Sequence, residues 1–349
     1  MTGKLKTAVL GATGYSGFEL TRLLLRHPRV EKPLLLSRSA EGKAPANLAD
    51  VFPALAGNGN GSYLLQPLSW EALKEQGVKL LFLATPHEAS RTLAPEALAN
   101  GMCVIDLSGA WRLQNAENRA VYKFADEGPR SDEFIKQAVY GLPELHREKI
   151  ASAKIVANPG CYATSVILGL APVTQAKIID REKGIISDSK SGVSGAGKEP
   201  TAKTHFVSVA DNLSAYGVFG HRHLGEMLEQ LDLNAGEVTF TPHLLPIPRG
   251  ILSTIYVHLN KEMTPSGVEE VFRKFYAGKP WVRIFATPKL PEIQFSVNSN
   301  YCDIGFALAK DGRRLIIVSC IDNLVKGAAG QAVQNMNVMY GWGEEEGLN

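Results

Sequence analysis

Hydrophobic positions in the first part of the chain form short continuous runs, separated by segments with helical spacing. The runs cover residues 6–10, 34–36, 80–84 and 104–107, and the helical segments between them include 18–27 and 90–101. Continuous apolar runs are typical of parallel strands that are buried on both faces of a sheet. Their alternation with helices predicts a doubly wound α/β domain.

From about residue 157 the pattern changes to longer strands. They cover 236–247, 250–259, 301–309 and 313–321, and a Lys-Asp-Gly turn between the last two predicts a hairpin. Thr264 followed by Pro265 predicts a capped helix start, and 325–342 predicts a final helix that begins with small residues. These elements predict a mixed or antiparallel sheet in a second domain.

The predicted fold class is therefore α/β, with two domains. A Rossmann-type, doubly wound parallel sheet domain occupies 1–157 and is completed by a C-terminal helix at 327–349. A mixed-sheet α+β domain for catalysis and oligomerisation occupies 158–326. The length of 349 residues fits this division, because single domains typically contain about 100–200 residues.

Charge and cysteine usage narrow the class of protein. A net charge of +2 gives no basic footprint for nucleic acid, and no apolar stretch reaches about 18 residues, so no membrane segment is expected. Cys103, Cys161, Cys302 and Cys320 are far apart and lack the spacing of metal ligands. We expect a cytoplasmic protein with reduced cysteines and no metal.

The motif GATGYSG, at 11–17, follows the first strand and precedes a helix. Gly11 permits a tight turn, Gly14 lets the backbone approach a pyrophosphate, and Gly17 lets helix and strand pack closely. The start of the helix, with Thr13, Tyr15 and Ser16 around it, then receives the phosphates. The motif predicts a dinucleotide-binding site.

The end of the second strand indicates which dinucleotide is bound. NAD sites usually place an acidic residue there, whereas this chain has Ser37, Arg38 and Ser39. A guanidinium and two hydroxyls suit a 2′-phosphate, so we predict NADP as the cofactor.

The stretch ANPGCYATS, at 157–165, places Cys161 after a Pro-Gly turn and at the predicted start of a helix. Unpaired backbone N–H groups and the helix dipole favour negative charge there. Cys161 is therefore biased toward thiolate, the form that attacks carbonyl carbon.

Taken together, these and other stretches resemble the N-acetyl-γ-glutamyl-phosphate reductase family over essentially the whole chain. The resemblance is carried by GATGYSG, ATPHEAS, VIDLSGAWR, YGLPEL, NPGCYATS, SGVSGAGK, GHRHLGEM, TPHLLPIPRGI and IDNLVKGAAGQAVQNMN. It implies the architecture shared with aspartate-semialdehyde and glyceraldehyde-3-phosphate dehydrogenases. It also implies NADPH-dependent reduction of N-acetyl-γ-glutamyl phosphate to the semialdehyde and phosphate in arginine biosynthesis, with Cys161 as the nucleophile that forms a thioester.

A general acid/base must accompany the thiolate, and histidine titrates in the suitable range. His221 and His223 both lie in GHRH, and His221 is preferred because a loop position leaves it free to face Cys161. His223 and Glu226 are expected to orient this histidine or to contact substrate. Gly225 departs from the proline that the family commonly has, which loosens the helix start.

Other residues are assigned to phosphate and cofactor. Arg112, and as second choice Arg249, would bind the acyl phosphate through a bidentate guanidinium. His87 follows a first-domain strand and is expected to contact the dinucleotide. SGVSGAGK, at 191–198, is predicted to be a flexible loop rather than a packed strand, near the nicotinamide or phosphate. The full cofactor set comprises Gly11, Thr13, Gly14, Tyr15, Ser16, Gly17, Ser37, Arg38, Ser39, His87, Ser191, Gly192 and, by the resemblance, Asn323.

Two alternatives remain open, and the absence of a histidine disfavours a third, aspartate-semialdehyde dehydrogenase. A paralogous reductase that acts on a carrier-protein-linked aminoadipyl phosphate in lysine biosynthesis would keep every motif above. Aspartate-semialdehyde dehydrogenase has a histidine where this chain has Gly250, Ile251 and Leu252. A non-catalytic NADP-binding sensor would need no nucleophile. For the preferred function the substrate is a small-molecule acyl phosphate, and a homo-oligomer, a dimer or tetramer, is expected.

Overall fold

A computed structural model describes residues 3–37, 47–55, 63–125 and 128–349. The chain divides into two compact units. The first comprises Met1–Arg112, Asp126–Asn158 and Ala332–Asn349, and the second comprises Leu113–Ala125 and Pro159–Gln331. The segment Leu113–Ala125, which the sequence analysis places in the first domain, groups with the second unit.

The first unit is built on a seven-stranded parallel sheet with strand order β3-β2-β1-β4-β5-β7-β6. Its strands are β1 (Thr7–Leu10), β2 (Leu34–Ser37), β3 (Leu65–Pro67), β4 (Leu80–Leu83), β5 (Cys103–Asp106), β6 (Val139–Tyr140) and β7 (Ile155–Ala157). β1, β4 and β7 are buried along their whole length, which explains their continuous apolar sequences. The predicted doubly wound fold is confirmed.

The second unit contains a seven-stranded mixed sheet with strand order β12-β13-β14-β11-β8-β10-β9. Its strands are β8 (Ile185–Gly192), β9 (Ser214–Ala215), β10 (Val238–Leu245), β11 (Ile251–His258), β12 (Val282–Ile284), β13 (Cys302–Leu308) and β14 (Arg314–Ile321). β13 and β14 pair antiparallel, so the predicted hairpin is confirmed.

Helices connect and cover these strands. They are α1 (Tyr15–Arg26), α2 (Leu48–Val51), α3 (Trp70–Glu75), α4 (His87–Ala99), α5 (Ala116–Arg119), α6 (Pro129–Gln137), α7 (Pro143–Ala151), α8 (Cys161–Gln175), α9 (Phe206–Val209), α10 (Leu224–Leu231), α11 (Pro265–Phe275), α12 (Ile293–Ser296) and α13 (Gly330–Met339). The Thr264 side chain accepts a hydrogen bond from Gly267 N, as its predicted capping role requires. Within the described ranges, no helix has both the length and the apolar character needed to cross a membrane.

The expectation that 191–198 avoids a packed strand is wrong for its first two residues. Ser191 and Gly192 end β8, an inner strand of the sheet, and both are buried. Small side chains suit this strand because its buried hydroxyls bond to one another and to neighbouring elements. Ser189 Oγ lies 2.8 Å from Ser253 Oγ, which in turn lies 2.9 Å from Ser165 Oγ in α8.

The final helix begins differently from the prediction of one regular helix. Val325–Ala329 forms a π-helix that precedes α13. The Asp322 carboxylate accepts hydrogen bonds from Leu324 N and Val325 N, at 2.7 and 3.1 Å. Gly327 N donates to Asp322 O, the five-residue step typical of a π-turn.

Candidate active site

Cys161 is the first residue of α8, as predicted. The preceding Gly160 is the N-cap residue, with extended dihedrals of φ −73° and ψ 146°, and no side-chain cap is found among the described residues. Twelve of the fifteen residues of α8 are buried, so the helix is firmly held within the second unit. The backbone N–H groups at its start favour negative charge on the thiol.

The His223 imidazole lies against Gly160, the residue that precedes Cys161. A Cβ atom built on Gly160 would lie 2.4 Å from Nε2 of His223, so only glycine leaves space for this ring. His223 is 9% exposed and directly precedes α10. The structure therefore brings this imidazole to the start of α8, where Cys161 lies.

His221 occupies a box of aromatic rings. Its ring centroid lies 5.5 Å from those of Tyr162, Tyr216 and Phe240 and 4.7 Å from that of His223. Its Nδ1 accepts a hydrogen bond from His223 N at 3.2 Å. Burial, assisted by the nearby charge of Arg222, lowers the pKa of His221 to about 4, so this ring is neutral at neutral pH.

Glu226, which the sequence analysis expects to orient His221 or to contact substrate, bonds to the backbone of Gly160, just before Cys161. Its fully buried Oε2 accepts a hydrogen bond from Gly160 N at 2.9 Å. It lies three residues after His223, so the same end of α10 carries both side chains. Gly225, between them, lies against Asn118: a Cβ atom built there would be 3.0 Å from Asn118 Cβ.

Gly327, in the π-helix, lies against Cys161, a contact that the sequence analysis missed. A Cβ atom built on Gly327 would lie 2.7 Å from Cys161 Cβ and 3.2 Å from its Cα. The run of small residues, KGAAG, was visible in the sequence, but nothing there showed which of them faces Cys161. Tyr162 and Tyr216 were missed as well, and no sequence signal pointed to Tyr216.

The predicted nicotinamide ligand Asn323 is engaged within the second unit. Its Oδ1 accepts from Gly250 N at 2.7 Å, and its Nδ2 donates to Ser194 Oγ at 2.9 Å. The Arg249 guanidinium lies 3.3 Å from the buried carboxylate of Asp322. These contacts tie together the loops at one end of β11 and β14.

The glycine motif of the first unit forms the expected turn. Gly11 has φ +94°, and a Cβ atom built on it would lie 2.3 Å from Ala84 O; one on Gly17 would lie 2.1 Å from Gly11 O. Both positions therefore require glycine. Gly14 is the N-cap of α1, which has no side-chain cap among the described residues, so the N–H groups around Tyr15 and Ser16 are available to phosphate. Thr13 lies in the turn that leads to this N-cap.

The neighbouring strand ends carry the other cofactor candidates of the first unit. Ser37 is the last residue of β2, while Arg38 and Ser39 lie outside the described residues. His87 is the first residue of α4, and its Nδ1 accepts a hydrogen bond from Gly109 N at 2.8 Å. The loops after β4 and β5 are thereby joined.

The Arg112 guanidinium bonds to the backbone at Asn158, just before the Pro159-Gly160 turn. Its Nε donates to Asn158 O at 2.7 Å and its Nη2 to Leu107 O at 2.8 Å, and the residue is 7% exposed. Nearby, burial raises the pKa of Asp106, although hydrogen bonds from Ser108 and Ser90 oppose this effect. In the part of the chain that the structure describes, no cluster of three potential metal ligands occurs.

Comparison with known proteins identifies relatives over the full length. The family model "Semialdehyde dehydrogenase, NAD binding domain" matches residues 6–153, and "Semialdehyde dehydrogenase, dimerisation domain" matches 161–323. Proteins named N-acetyl-gamma-glutamyl-phosphate reductase are 47% identical in Desulfotalea psychrophila, covering 99% of this chain and 98% of the relative, and 43% identical in Campylobacter jejuni, with the same coverage.

Solved structures of lower identity share the fold. Aspartate semialdehyde dehydrogenase II from Vibrio cholerae, complexed with ASA, has a TM-score of 0.71 at 18% identity, covering 97% of this chain and 99% of that one. Aspartate semialdehyde dehydrogenase with NADP from Candida albicans has a TM-score of 0.66 at 15% identity, with the same coverage.

Proposed function

Because the chain belongs to the N-acetyl-γ-glutamyl-phosphate reductase family of semialdehyde dehydrogenases, we propose that it reduces N-acetyl-γ-glutamyl phosphate with NADPH. The products are N-acetylglutamate semialdehyde and phosphate, as a step of arginine biosynthesis. Full-length identity of 42–47% to eight relatives that bear this name supports the proposal. The observation that carries the chemistry is Cys161 at the start of a buried helix, with an imidazole against the preceding glycine.

In the proposed mechanism the Cys161 thiolate attacks the carbonyl carbon of the acyl phosphate. The new C–S bond replaces the C–O bond, and phosphate leaves with the bonding electrons. His223, which holds the proton that Cys161 gave up, returns it to the leaving phosphate. NADPH, when bound, supplies the hydride that converts this thioester to the aldehyde level. Collapse of the resulting thiohemiacetal oxyanion restores the thiolate, and backbone N–H groups at the start of α8 stabilise that oxyanion.

We assign the proton carrier to His223 rather than to His221, which the sequence analysis preferred. The Nε2 edge of His223 lies against Gly160, whereas His221 is enclosed by Tyr162, Tyr216 and Phe240. With a pKa of about 4, His221 is too weak a base to hold the Cys161 proton near neutral pH. His221 then acts as a positioning residue.

For the acyl phosphate, Arg112 and Arg249 remain the proposed cationic ligands. Each guanidinium already has protein partners: backbone oxygens for Arg112, and the Asp322 carboxylate for Arg249. These partners fix the orientation of each planar group, and a phosphate bound in bidentate fashion would compete with them for its N–H donors.

The first unit suits a dinucleotide, since Gly11 and Gly17 permit the tight turn and the close packing of strand and helix that a phosphate-binding turn before α1 needs: a Cβ atom on either would clash with a backbone oxygen. We propose NADP as the cofactor, on the basis of Ser37, Arg38 and Ser39 after β2. Arg38→Ala is expected to weaken NADPH binding far more than NADH binding. Equal losses for the two cofactors in a binding titration would contradict the assignment.

We further propose that the second unit forms a homodimer. Ile186, Tyr256 and Ile316 lie in register on three adjacent strands, and all three are exposed on one face of the sheet. The dimerisation family model covers this unit. We expect the enzyme to act in the cytoplasm, where its four free cysteines stay reduced.

The substrate is tested by comparing reverse reactions with phosphate and NADP⁺. We expect the highest kcat/KM with N-acetylglutamate semialdehyde, and much lower values with aspartate semialdehyde and aminoadipate semialdehyde. A preference for a carrier-linked aminoadipate semialdehyde would favour the lysine-biosynthesis alternative. Absence of turnover with every aldehyde, together with intact NADP binding, would favour the sensor.

A further inference from the structure

A row of buried serine side chains crosses the mixed sheet of the second unit. Ser189, Ser253 and Ser319 lie in register on the adjacent strands β8, β11 and β14. All three are fully buried, at 0% exposure. The inner strands of a sheet usually present apolar side chains to a helix packed on them, so a buried row of hydroxyls is an informative exception.

The Ser165 side chain of α8 bonds directly to this row. Its Oγ lies 2.9 Å from Ser253 Oγ, and 3.2 Å from both Oγ and O of Ser319. Ser189 Oγ in turn lies 2.8 Å from Ser253 Oγ. We call Ser165, Ser189, Ser253 and Ser319 the serine network. Through it, α8 is hydrogen-bonded to two strands of the sheet.

The serine network lies close to the nucleophile along α8. Ser165 follows Cys161 by four residues, and residues at this spacing are neighbours on one side of a helix. One turn further, a Cβ atom built on Gly169 would lie 2.8 Å from Ile255 Cδ1 and 3.5 Å from Ser319 Cβ. This side of α8 therefore approaches the sheet closely, and its hydrogen bonds begin within one turn of Cys161.

The serine network restricts α8 more than apolar packing would. Hydrophobic attraction has no direction, so a helix held by apolar side chains alone can shift or rotate slightly at little cost. Hydrogen bonds depend on distance and angle, and a displaced hydroxyl is left unpaired in the core. A satisfied buried network therefore specifies one arrangement of the elements that it joins.

We propose that the serine network sets the position of α8 on the sheet, and that Ser165 is thereby a positioning residue for Cys161. His223 and Gly327, which lie against Gly160 and Cys161, belong to segments outside α8. A shift of α8 therefore changes the distance from the thiol to the imidazole. The effect on kcat rests on the proposed function, whereas the effect on thiol reactivity does not.

Ser165→Ala tests the proposal, with Thr174→Val as the matched control. Thr174 is a hydroxyl residue of the same helix, but its Oγ1 bonds within α8, to Leu170 O and Ala171 O. Ser165→Ala should lower kcat about tenfold with KM for NADPH unchanged, since small displacements of a reacting group have effects of this size or larger. It should also raise the pH at which iodoacetamide alkylates Cys161. Thr174→Val should match wild type in both measurements.

The triple variant Ser165→Ala/Ser253→Ala/Ser319→Ala separates positioning from stability. It removes bonded hydroxyls together, and Ser189 keeps Ser187 Oγ as a partner at 3.2 Å. Replacing both partners of a hydrogen bond by apolar groups can be nearly neutral, so most of the free energy of unfolding lost in Ser165→Ala should be recovered. Its kcat should stay about tenfold below wild type, because no directional bond from Ser165 then holds α8.

A wild-type kcat and alkylation profile for Ser165→Ala would overturn the inference. Recovery of kcat together with stability in the triple variant would also overturn it, because Ser165 would then act through folding alone. If Ser165→Ala does not fold, the triple variant decides. If wild type itself shows no reductase activity, the alkylation profiles still decide whether Ser165 positions Cys161, so failure of the proposed function is distinguishable.

Discussion

Two glycines leave space for the side chains of Cys161 and His223. Gly160 lies next to the ring of His223, and Gly327 lies next to Cβ of Cys161. Neither glycine has a positive φ angle, so both are required by close approach and not by backbone conformation. A methyl group at either position would move a reacting side chain.

The replacement Gly327→Ala tests this packing. The added methyl would lie 2.7 Å from Cys161 Cβ and must displace the nucleophile or the π-helix. We expect kcat to fall by about 10- to 100-fold, because misplacement of about 1 Å has an effect of this size, with KM for NADPH unchanged. Gly236→Ala is the control, since a Cβ atom there has nothing within 4 Å. A wild-type kcat for Gly327→Ala would contradict the packing argument.

The two histidines are distinguished by their replacement with asparagine. His223→Asn should lower kcat by about 10²- to 10⁴-fold, the usual contribution of general acid/base catalysis, and raise the pH at which iodoacetamide alkylates Cys161. His221→Asn should have a smaller effect on both, because its ring supports His223 by packing. The reverse order of the two effects would return the role to His221.

Sequence reasoning identified both histidines and ranked His221 above His223. It preferred His221 because the loop left it free, whereas the structure encloses that ring among Tyr162, Tyr216 and Phe240. These rings come from separate segments of the chain, and their convergence depends on tertiary packing that no local pattern encodes.

Among the helices, α10 links His223, which directly precedes it, to the turn at Gly160 before Cys161. Its residue Glu226 holds Gly160 N, and Glu229 accepts hydrogen bonds from Gln114 N and Asn115 N. One short helix thus fixes both the turn before Cys161 and the segment that follows Arg112.

Replacement of Glu226 tests the link between α10 and α8. Glu226→Ala leaves the buried Gly160 N–H without this acceptor, so the free energy of unfolding should fall by about 1–3 kcal/mol. Glu226→Gln retains an amide oxygen and should lose less stability. Glu226→Ala should also slow alkylation of Cys161, which Glu229→Ala, the control on the same helix, should leave unchanged. Equal alkylation rates for wild type and Glu226→Ala would show that Glu226 has no positioning role.

The sequence predicted helix starts and a hairpin correctly where residues close together in the chain determine the local structure. The start of α8 at Cys161, the Thr264 cap and the β13–β14 hairpin each follow from local turn chemistry. The sequence did not predict the end of β8, because this strand is stabilised by hydrogen bonds between serine hydroxyls and not by apolar side chains. It also did not predict the π-helix at Val325–Ala329, which the Asp322 carboxylate stabilises by accepting backbone hydrogen bonds. In both cases the deciding hydrogen bonds come from tertiary contacts.

At the scale of the whole molecule, His221 makes stability depend on pH. Its folded pKa of about 4 lies below the ordinary value of 6.5, so between these two pH values the unfolded chain binds a proton that the folded chain does not. The free energy of unfolding should therefore fall as pH decreases from about 6.5 to about 4, by at most about 3 kcal/mol.

Denaturant titrations at pH 7 and pH 4.5 test this dependence. His221→Asn should show a smaller loss between the two pH values than wild type. His205→Asn, a replacement of an exposed histidine, should lose as much as wild type. If His221→Asn loses as much as wild type, the ring is not held neutral in the folded state.

The two-sheet architecture was predictable from sequence because the spacing of hydrophobic residues within the strands differs clearly between the two units. Buried β1 and β4 have no polar alternation, whereas β10 and β11 alternate strictly between buried and partly exposed residues. The grouping of Leu113–Ala125 with the second unit could not be predicted, since it depends on contacts such as those of Glu229.

In the proposed mechanism, Cys161 forms a thioester with the substrate acyl group before reduction. Mixing the enzyme with N-acetyl-γ-glutamyl phosphate in the absence of NADPH, and mapping the adduct by mass spectrometry, tests this step. We expect one N-acetylglutamyl group on Cys161, one phosphate released per adduct, and neither product with Cys161→Ser. Phosphate release that requires NADPH and leaves Cys161 unmodified, or an adduct on another residue, would contradict it.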